Sequence, residues 1–125
     1  MPNEIVLTGG GNKLIERYER QMKKGVLEIL VLKLLDEKEK YGYQLISELK
    51  ERSEELFSLK EGTLYPILYR LEEEGLVTTR WSQARGKETA KKYYQISDEG
   101  KTVLQDTIQL WKLFSDKVNF ILFHS

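Results

Sequence analysis

The chain of 125 residues carries 20 basic and 20 acidic side chains, for a formal net charge of zero. A composition 32% charged and 40% hydrophobic excludes a disordered chain, and with no cysteine there is neither a disulfide nor a thiolate metal site. No apolar run reaches the ~18 residues of a membrane span, and Met1 to Gly11 lacks the basic start and apolar core of a signal peptide. One domain in a reducing compartment, the cytoplasm, is the expectation. The neutral sum is unusual for a nucleic-acid-binding domain, but the distribution of charge matters more. Five basic residues (Arg80, Arg85, Lys87, Lys91 and Lys92) and one acid (Glu88) fall between Arg80 and Lys92, whereas Glu72, Glu73 and Glu74 run together.

Residues 1–12 contain Gly9-Gly10-Gly11 and little to pack, which reads as a flexible arm. A phosphate-binding loop needs a preceding strand, and none is present. Lys13 to Leu35 is a long first helix. Its second half, from Val26, is nearly all apolar and therefore buried from more than one side. Its first half is polar with a stripe of Leu14, Tyr18 and Met22, suited to an element outside the small core. Gly25 costs roughly 1 kcal/mol in mid-helix, which signals a close approach or a slight break. Asp36 to Lys40 reads as a charged turn. A second helix, Tyr41 to Arg52, points Leu45, Ile46 and Leu49 inward.

The third helix spans Ser58 to Gly75. Ser58 with Glu61 three residues on forms a capping box, and Gly75 suits the left-handed position past a helix end. Leu64, Ile67, Leu68 and Leu71 make the core stripe. Gly62, Tyr65, Pro66 and Tyr69 lie on the far face, with Thr63 and Arg70 flanking. An arginine forks onto guanine or phosphate, and hydroxyls reach phosphates, so this face suits DNA. It also suits an ordinary amphipathic helix with a tyrosine rim. Pro66 removes a hydrogen bond to the Gly62 carbonyl, so the helix starts late or bends there.

Leu76 to Trp81 and Lys91 to Ile96 are rich in β-branched and aromatic residues and form a hairpin around the polar loop Ser82 to Ala90. Two helices, a short joint, a helix with a polar outer face and a hairpin make a winged helix-turn-helix. Ser97 caps a last helix, with Asp98 and Glu99 in its first turn. Leu104, Ile108, Trp111, Ser115, Val118 and Leu122 follow coiled-coil spacing. Val103, Thr107, Leu110, Phe114 and Ile121 widen the stripe. One small winged domain cannot cover so much apolar helix, so a homodimer with twofold symmetry is expected. The reading is mainly α with a small β-hairpin: an arm over 1–12, a winged helix over 13–96 and a C-terminal dimerisation helix over 97–125.

Tyr41-Gly42-Tyr43, Glu61-Gly62-Thr63-Leu64-Tyr65-Pro66, Gly75-Leu76-Val77, Lys91-Lys92-Tyr93-Tyr94 and Ile96-Ser97-Asp98-Glu99-Gly100 together resemble the PadR family of bacterial transcriptional regulators. The likeness covers about Lys24 to Gly100. The short last helix looks like the branch of small proteins that includes repressors of multidrug efflux pumps. In that branch a tryptophan lines a pore at the dimer interface and stacks on flat aromatic ligands, and Trp111 occupies the matching place. The wing departs from the pattern: Glu88-Thr89-Ala90 stands where Gly, Pro or Arg is common, and Arg85 and Lys87 substitute.

By resemblance and by face, Thr63, Tyr65, Pro66, Tyr69 and Arg70 read the groove of a pseudo-palindromic double-stranded operator. Lys60, Tyr43, Gln44, Arg85, Lys87, Lys91 and Lys92 contact its backbone; for Tyr43, Gln44 and the wing cations an ordinary solvated surface is the alternative. Trp111 and Ser115 form a slot for a planar aromatic molecule, with Ile108, Met22 and Val26 as walls; alternatively, Trp111 simply fills the dimer core. His124 is the only histidine, so no zinc site is expected. No cofactor is expected, and no catalytic motif is present. A repressor released by such a ligand is the favoured reading. A winged-helix protein–protein adaptor, favoured by zero net charge and the Glu72 to Glu74 run, is the alternative.

Overall fold

The apolar half of the first predicted helix becomes the centre of the core. The computed structural model describes residues 12–124, so the predicted arm, Asn12 apart, lies outside the described residues. Helix α1 (Asn12–Glu37) buries Leu27, Val31, Leu32, Leu34 and Leu35. Around them pack Leu45 and Leu49 of α2 (Gly42–Arg52) and Leu64, Ile67, Leu68 and Leu71 of α3 (Glu61–Glu73). Val77 of β2 (Val77–Trp81), Tyr94 and Ile96 of β3 (Lys92–Ile96) and Leu104 of α4 (Asp98–Phe123) complete the cluster. The fold is mainly helical with a small antiparallel sheet, as the sequence implies.

The sheet has a third strand that the sequence reading placed in a turn and a helix start. Lys40 and Tyr41 form β1 (Lys40–Tyr41), paired antiparallel with β3, Lys40 opposite Tyr94, giving the order β1-β3-β2. Two residues are too few to show a strand period, and a lysine does not announce burial. Lys40 is nevertheless buried. Its ammonium donates to the Leu34 carbonyl at 2.7 Å, near the end of α1, and lies 3.7 Å from the Glu48 carboxylate. The long stem packs while the charged head finds partners.

Helix α3 starts later than predicted, and the Ser58–Glu61 capping box is absent. The Ser58 hydroxyl instead donates to the Glu55 carbonyl at 2.8 Å. Glu54 and Glu55 take φ values of 51° and 73°, so the chain reverses there and Ser58 belongs to the turn. The N-cap is Lys60, which makes no side-chain cap bond. Pro66 still lies inside the helix, the sixth residue from Glu61. It denies the Gly62 carbonyl its helical partner, on a face open to solvent. The far end follows the expectation. Gly75 has φ 76°, Leu76 N–H donates to the Leu71 carbonyl at 2.9 Å, and Gly75 N–H donates to Glu72 at 3.0 Å, a Schellman ending.

The Ser97 cap forms: its hydroxyl oxygen accepts from Gly100 N–H at 3.0 Å and donates to the Gly75 carbonyl at 2.7 Å. The start of α4 is thereby tied to the end of α3. The coiled-coil spacing predicts a seam from Leu104 to Leu122, but Leu104 is 1% exposed within the protomer's own core and is not available to a partner. No atom lies within 4 Å of a Cβ placed on Gly25, and α1 runs through it unbroken. The close approach expected there is not made inside one protomer.

Candidate nucleic-acid interface

Helix α3 has two chemically distinct sides because its core stripe is complete. Leu64, Ile67, Leu68 and Leu71 are buried, and Gly62, Thr63, Tyr65, Pro66, Tyr69 and Arg70 are exposed. The open residues divide between two hollows, one on each flank.

The first hollow, about 440 Å³, lies towards α2 and the wing and is lined by aromatic rings and two lysines. Tyr65, Tyr43, Trp81 and Tyr41 surround it, with Tyr94 and Lys91 and Lys92 of the wing side. Tyr65 is seated on Gly42: a Cβ built there would fall 2.4 Å from the Tyr65 hydroxyl oxygen. The glycine of the Tyr41-Gly42-Tyr43 motif thus makes room for the tyrosine of α3. The Lys91 ammonium sits 4.5 Å from the centre of the Tyr41 ring. Lys92 is committed inward, 3.4 Å from a Glu72 carboxylate oxygen, while Thr79 donates to the other oxygen at 3.1 Å. Burial pushes the Tyr94 hydroxyl's pKa up.

The second hollow, about 470 Å³, lies towards α1 and includes Gly62, Thr63, Pro66 and Arg70 together with Arg20, Lys23 and Lys24. Arg70 reaches Glu28 of α1 at 3.5 Å. Between the two hollows Tyr69 is 65% exposed, and its hydrogen bond to Glu73 raises its pKa.

Gln44 is partly occupied: its side-chain carbonyl accepts from Tyr41 N–H at 3.1 Å, capping α2. Lys60 stands exposed at the start of α3. Arg85 and Lys87 are exposed in the turn between β2 and β3, where Gly86 has φ 59° and Glu88 N–H donates to the Arg85 carbonyl at 2.9 Å. Arg80 faces inward. Its Nε donates to Glu39 at 3.0 Å, its Nη2 contacts the same carboxylate, and its guanidinium lies 4.7 Å from the Tyr93 ring centre. That hydrogen bond holds the Glu39 pKa below the usual 4.5.

The residues expected around a planar ligand line neither hollow. Trp111 is 46% exposed, with the Phe114 ring 6.3 Å off and tilted 32°. Ile108 and Met22 are exposed, and Val26 is half-buried. The Ser115 hydroxyl turns back to the Lys112 carbonyl at 3.2 Å.

The Transcriptional regulator PadR-like family matches residues 31–106. The chain belongs to that family. It is 37% identical over 81 residues to the negative transcriptional regulator PadR of Bacillus subtilis, covering 65% of this chain and 44% of that protein. It is 33% identical over 90 residues to an uncharacterized protein of Lysinibacillus sphaericus, covering 70% of this chain and 80% of that one. A crystal structure of a PadR family transcriptional regulator from Eggerthella lenta superposes with a TM-score of 0.81 at 30% identity, over 91% of this chain and 96% of that chain. The protein is therefore a PadR-like transcriptional regulator of winged-helix fold, in a family of regulators rather than enzymes. DNA binding is implied by that membership. No helix among the described residues is long and apolar enough to cross a membrane.

The matched span holds α2, α3 and the wing. Trp111, Ile108, Ser115, Met22 and Val26 all fall outside it. Sequence reasoning missed Arg20, Lys23, Lys24, Trp81 and Tyr41 as neighbours of α3. For the first three the signal was present, three basic residues at i, i+3 and i+4 on one side of a helix. Trp81 and Tyr41 gave none, because strand pairing alone brings them to α3.

Proposed function

We propose that this PadR-like protein is a homodimeric repressor that lays the open face of α3 into the major groove of a pseudo-palindromic operator. The observation that carries the reading is the division of α3. Its four leucine and isoleucine side chains are buried, and its tyrosines, threonine and arginine are all open and flanked by basic side chains from α1 and the wing. Tyr65, Thr63, Tyr69 and Arg70, with Pro66 between them, face the bases. Tyr43, Lys60, Lys91, Arg85, Lys87 and the free amide of Gln44 face phosphates, and Lys92 does so only by leaving Glu72. Residues 13–96 act as the DNA-binding unit and 97–125 as the dimerisation helix.

The second copy is argued from α4. Between Ile108 and Phe123, ten large apolar side chains are each at least 37% exposed. A lone protomer would leave all of them facing water, more exposed apolar surface than a soluble monomer ordinarily carries. A twofold partner covering them, with Leu14, Tyr18 and Met22 of α1 alongside, sets the two α3 helices about one DNA turn, roughly 34 Å, apart. Trp111 and Phe114 sit within this face, so a planar aromatic molecule held between the copies would alter the separation of the α3 helices. A coupling of about 1–3 kcal/mol suffices to release DNA.

The test is a shift assay on a duplex selected by the protein from a random-sequence pool, repeated across salt concentrations. Retention with a steep salt dependence supports the reading. Tight binding to a protein partner with no retained duplex would favour the adaptor instead. Quenching of Trp111 by flat aromatic cations, in a Trp81→Phe background, tests the ligand.

A further inference from the structure

We infer that the hollow between α1 and α3 is a second clamp on the DNA backbone, built by Arg20 and Lys24 beside the helix that enters the groove. This rests on the DNA-binding reading above and adds residues outside the matched family span. The hollow is lined by four cations, Arg20, Lys23, Lys24 and Arg70, against one carboxylate, Glu28. In a chain of net charge zero, that is a local excess of three positive charges.

Two of the four cations already have partners: Lys23 lies 2.9 Å from Glu19, and Arg70 lies 3.5 Å from Glu28. Among the described residues, the side chains of Arg20 and Lys24 have no hydrogen bond, ion pair or ring contact. They sit one turn apart on α1, where like charges weaken a helix rather than support it. Neither cation is committed to a partner among the described residues of the protomer. By helical geometry they lie roughly 140° around α1 from the stripe of Leu14, Tyr18 and Met22, so the proposed dimer seam does not use them either.

What the pair fits is a polyanion lying along the hollow. Thr63, Pro66 and Arg70 belong both to the open face of α3 and to the wall of this hollow. A duplex whose groove receives α3 brings a phosphate strand against this wall. Gly62 completes the wall with no atom within 4 Å of its missing Cβ, which leaves the backbone open to close approach.

The experiment compares the full chain with the double variant Arg20→Gln/Lys24→Gln on the selected duplex and on an unrelated duplex, by anisotropy from 50 to 300 mM salt. Both side chains are exposed, so melting temperature and dimer mass should match the parent. In a dimer the variant removes four cations at about 0.9 each, so the slope of log K against log salt should fall by about 3.6. Affinity should drop about tenfold or more on both duplexes, with sequence preference kept, as expected of phosphate contacts. The charge-conserving variant Arg20→Lys/Lys24→Arg should retain the parent slope. An unchanged slope and affinity in the glutamine variant, with the parent bound, overturns this inference and leaves the repressor reading standing. A parent chain that selects no duplex at 50 mM salt overturns both.

Discussion

Replacing Gly42 by alanine should separate folding from DNA binding in this protein. The added Cβ would lie 2.4 Å from the Tyr65 hydroxyl oxygen and 2.8 Å from Cζ. Ordinary carbon contacts begin near ~3.5 Å, so the ring must move by about 1 Å or swing out. It can do so, because Tyr65 is 43% exposed and the clash is with the far end of its side chain. Gly42 opens α2, and alanine there gains roughly 0.4–1 kcal/mol by restricting the unfolded chain. That gain offsets the displaced ring, so stability should change by less than ~1 kcal/mol. Binding should suffer more. A hydrogen bond from Tyr65 to a base edge contributes about 0.5–1.5 kcal/mol in each half-site, or about 1–3 kcal/mol over a dimer, so affinity should fall by roughly five- to 150-fold. A double-mutant cycle isolates the effect. In a Tyr65→Ala background the added methyl finds vacated space, and Gly42→Ala should weaken binding no further. Additive losses in the cycle, or a stability loss beyond ~3 kcal/mol, would refute the seat of Tyr65 on Gly42 as the means of positioning it.

Gly62→Ala should raise the melting temperature by about 2–5 °C, since helix propensity improves by up to ~1 kcal/mol with nothing to clash, and should weaken DNA binding by crowding the approach. Leu104→Ala should cost about 2–5 kcal/mol in urea unfolding, because this side chain is 1% exposed in the protomer core. Ile121→Glu, at a position 77% exposed, should instead leave the circular dichroism spectrum intact and shift sedimentation from dimer to monomer. Carboxyl titration by NMR should place Glu39 below 4.5, and Arg80→Gln should raise it. Because the folded pKa is lowered, whatever this pair adds to wing stability is present above the ordinary value and lost as pH falls through the lowered one.

The helical part of the fold was legible because each core stripe repeats over several turns. Leu64, Ile67, Leu68 and Leu71 announce one buried side, and all four are buried. The start of α3 was not legible: Ser58 and Glu61 have the spacing of a capping box, yet the left-handed turn at Glu54 and Glu55 draws Ser58 out of the helix. Strand β1 was hidden because its burial depends on Lys40 meeting the end of α1, a contact that no local pattern encodes. Leu104 fits the coiled-coil spacing as well as its neighbours do, and only the packing of α4 on α1 assigns it to the core. On the interface, the open face of α3 was readable from helical phase. Its division between an aromatic flank and a basic flank was not, because α1 and the sheet supply those walls.

Two protomers that present paired α3 helices to successive turns of one duplex should leave a paired footprint. Hydroxyl-radical footprinting on the selected duplex, with protein mass per duplex measured on the same sample, tests it directly. Two protected patches are expected on one face of the DNA, centred about one helical turn (roughly 34 Å) apart, with two chains bound. A single patch held by one chain, or no protection at 50 mM salt, would contradict that arrangement.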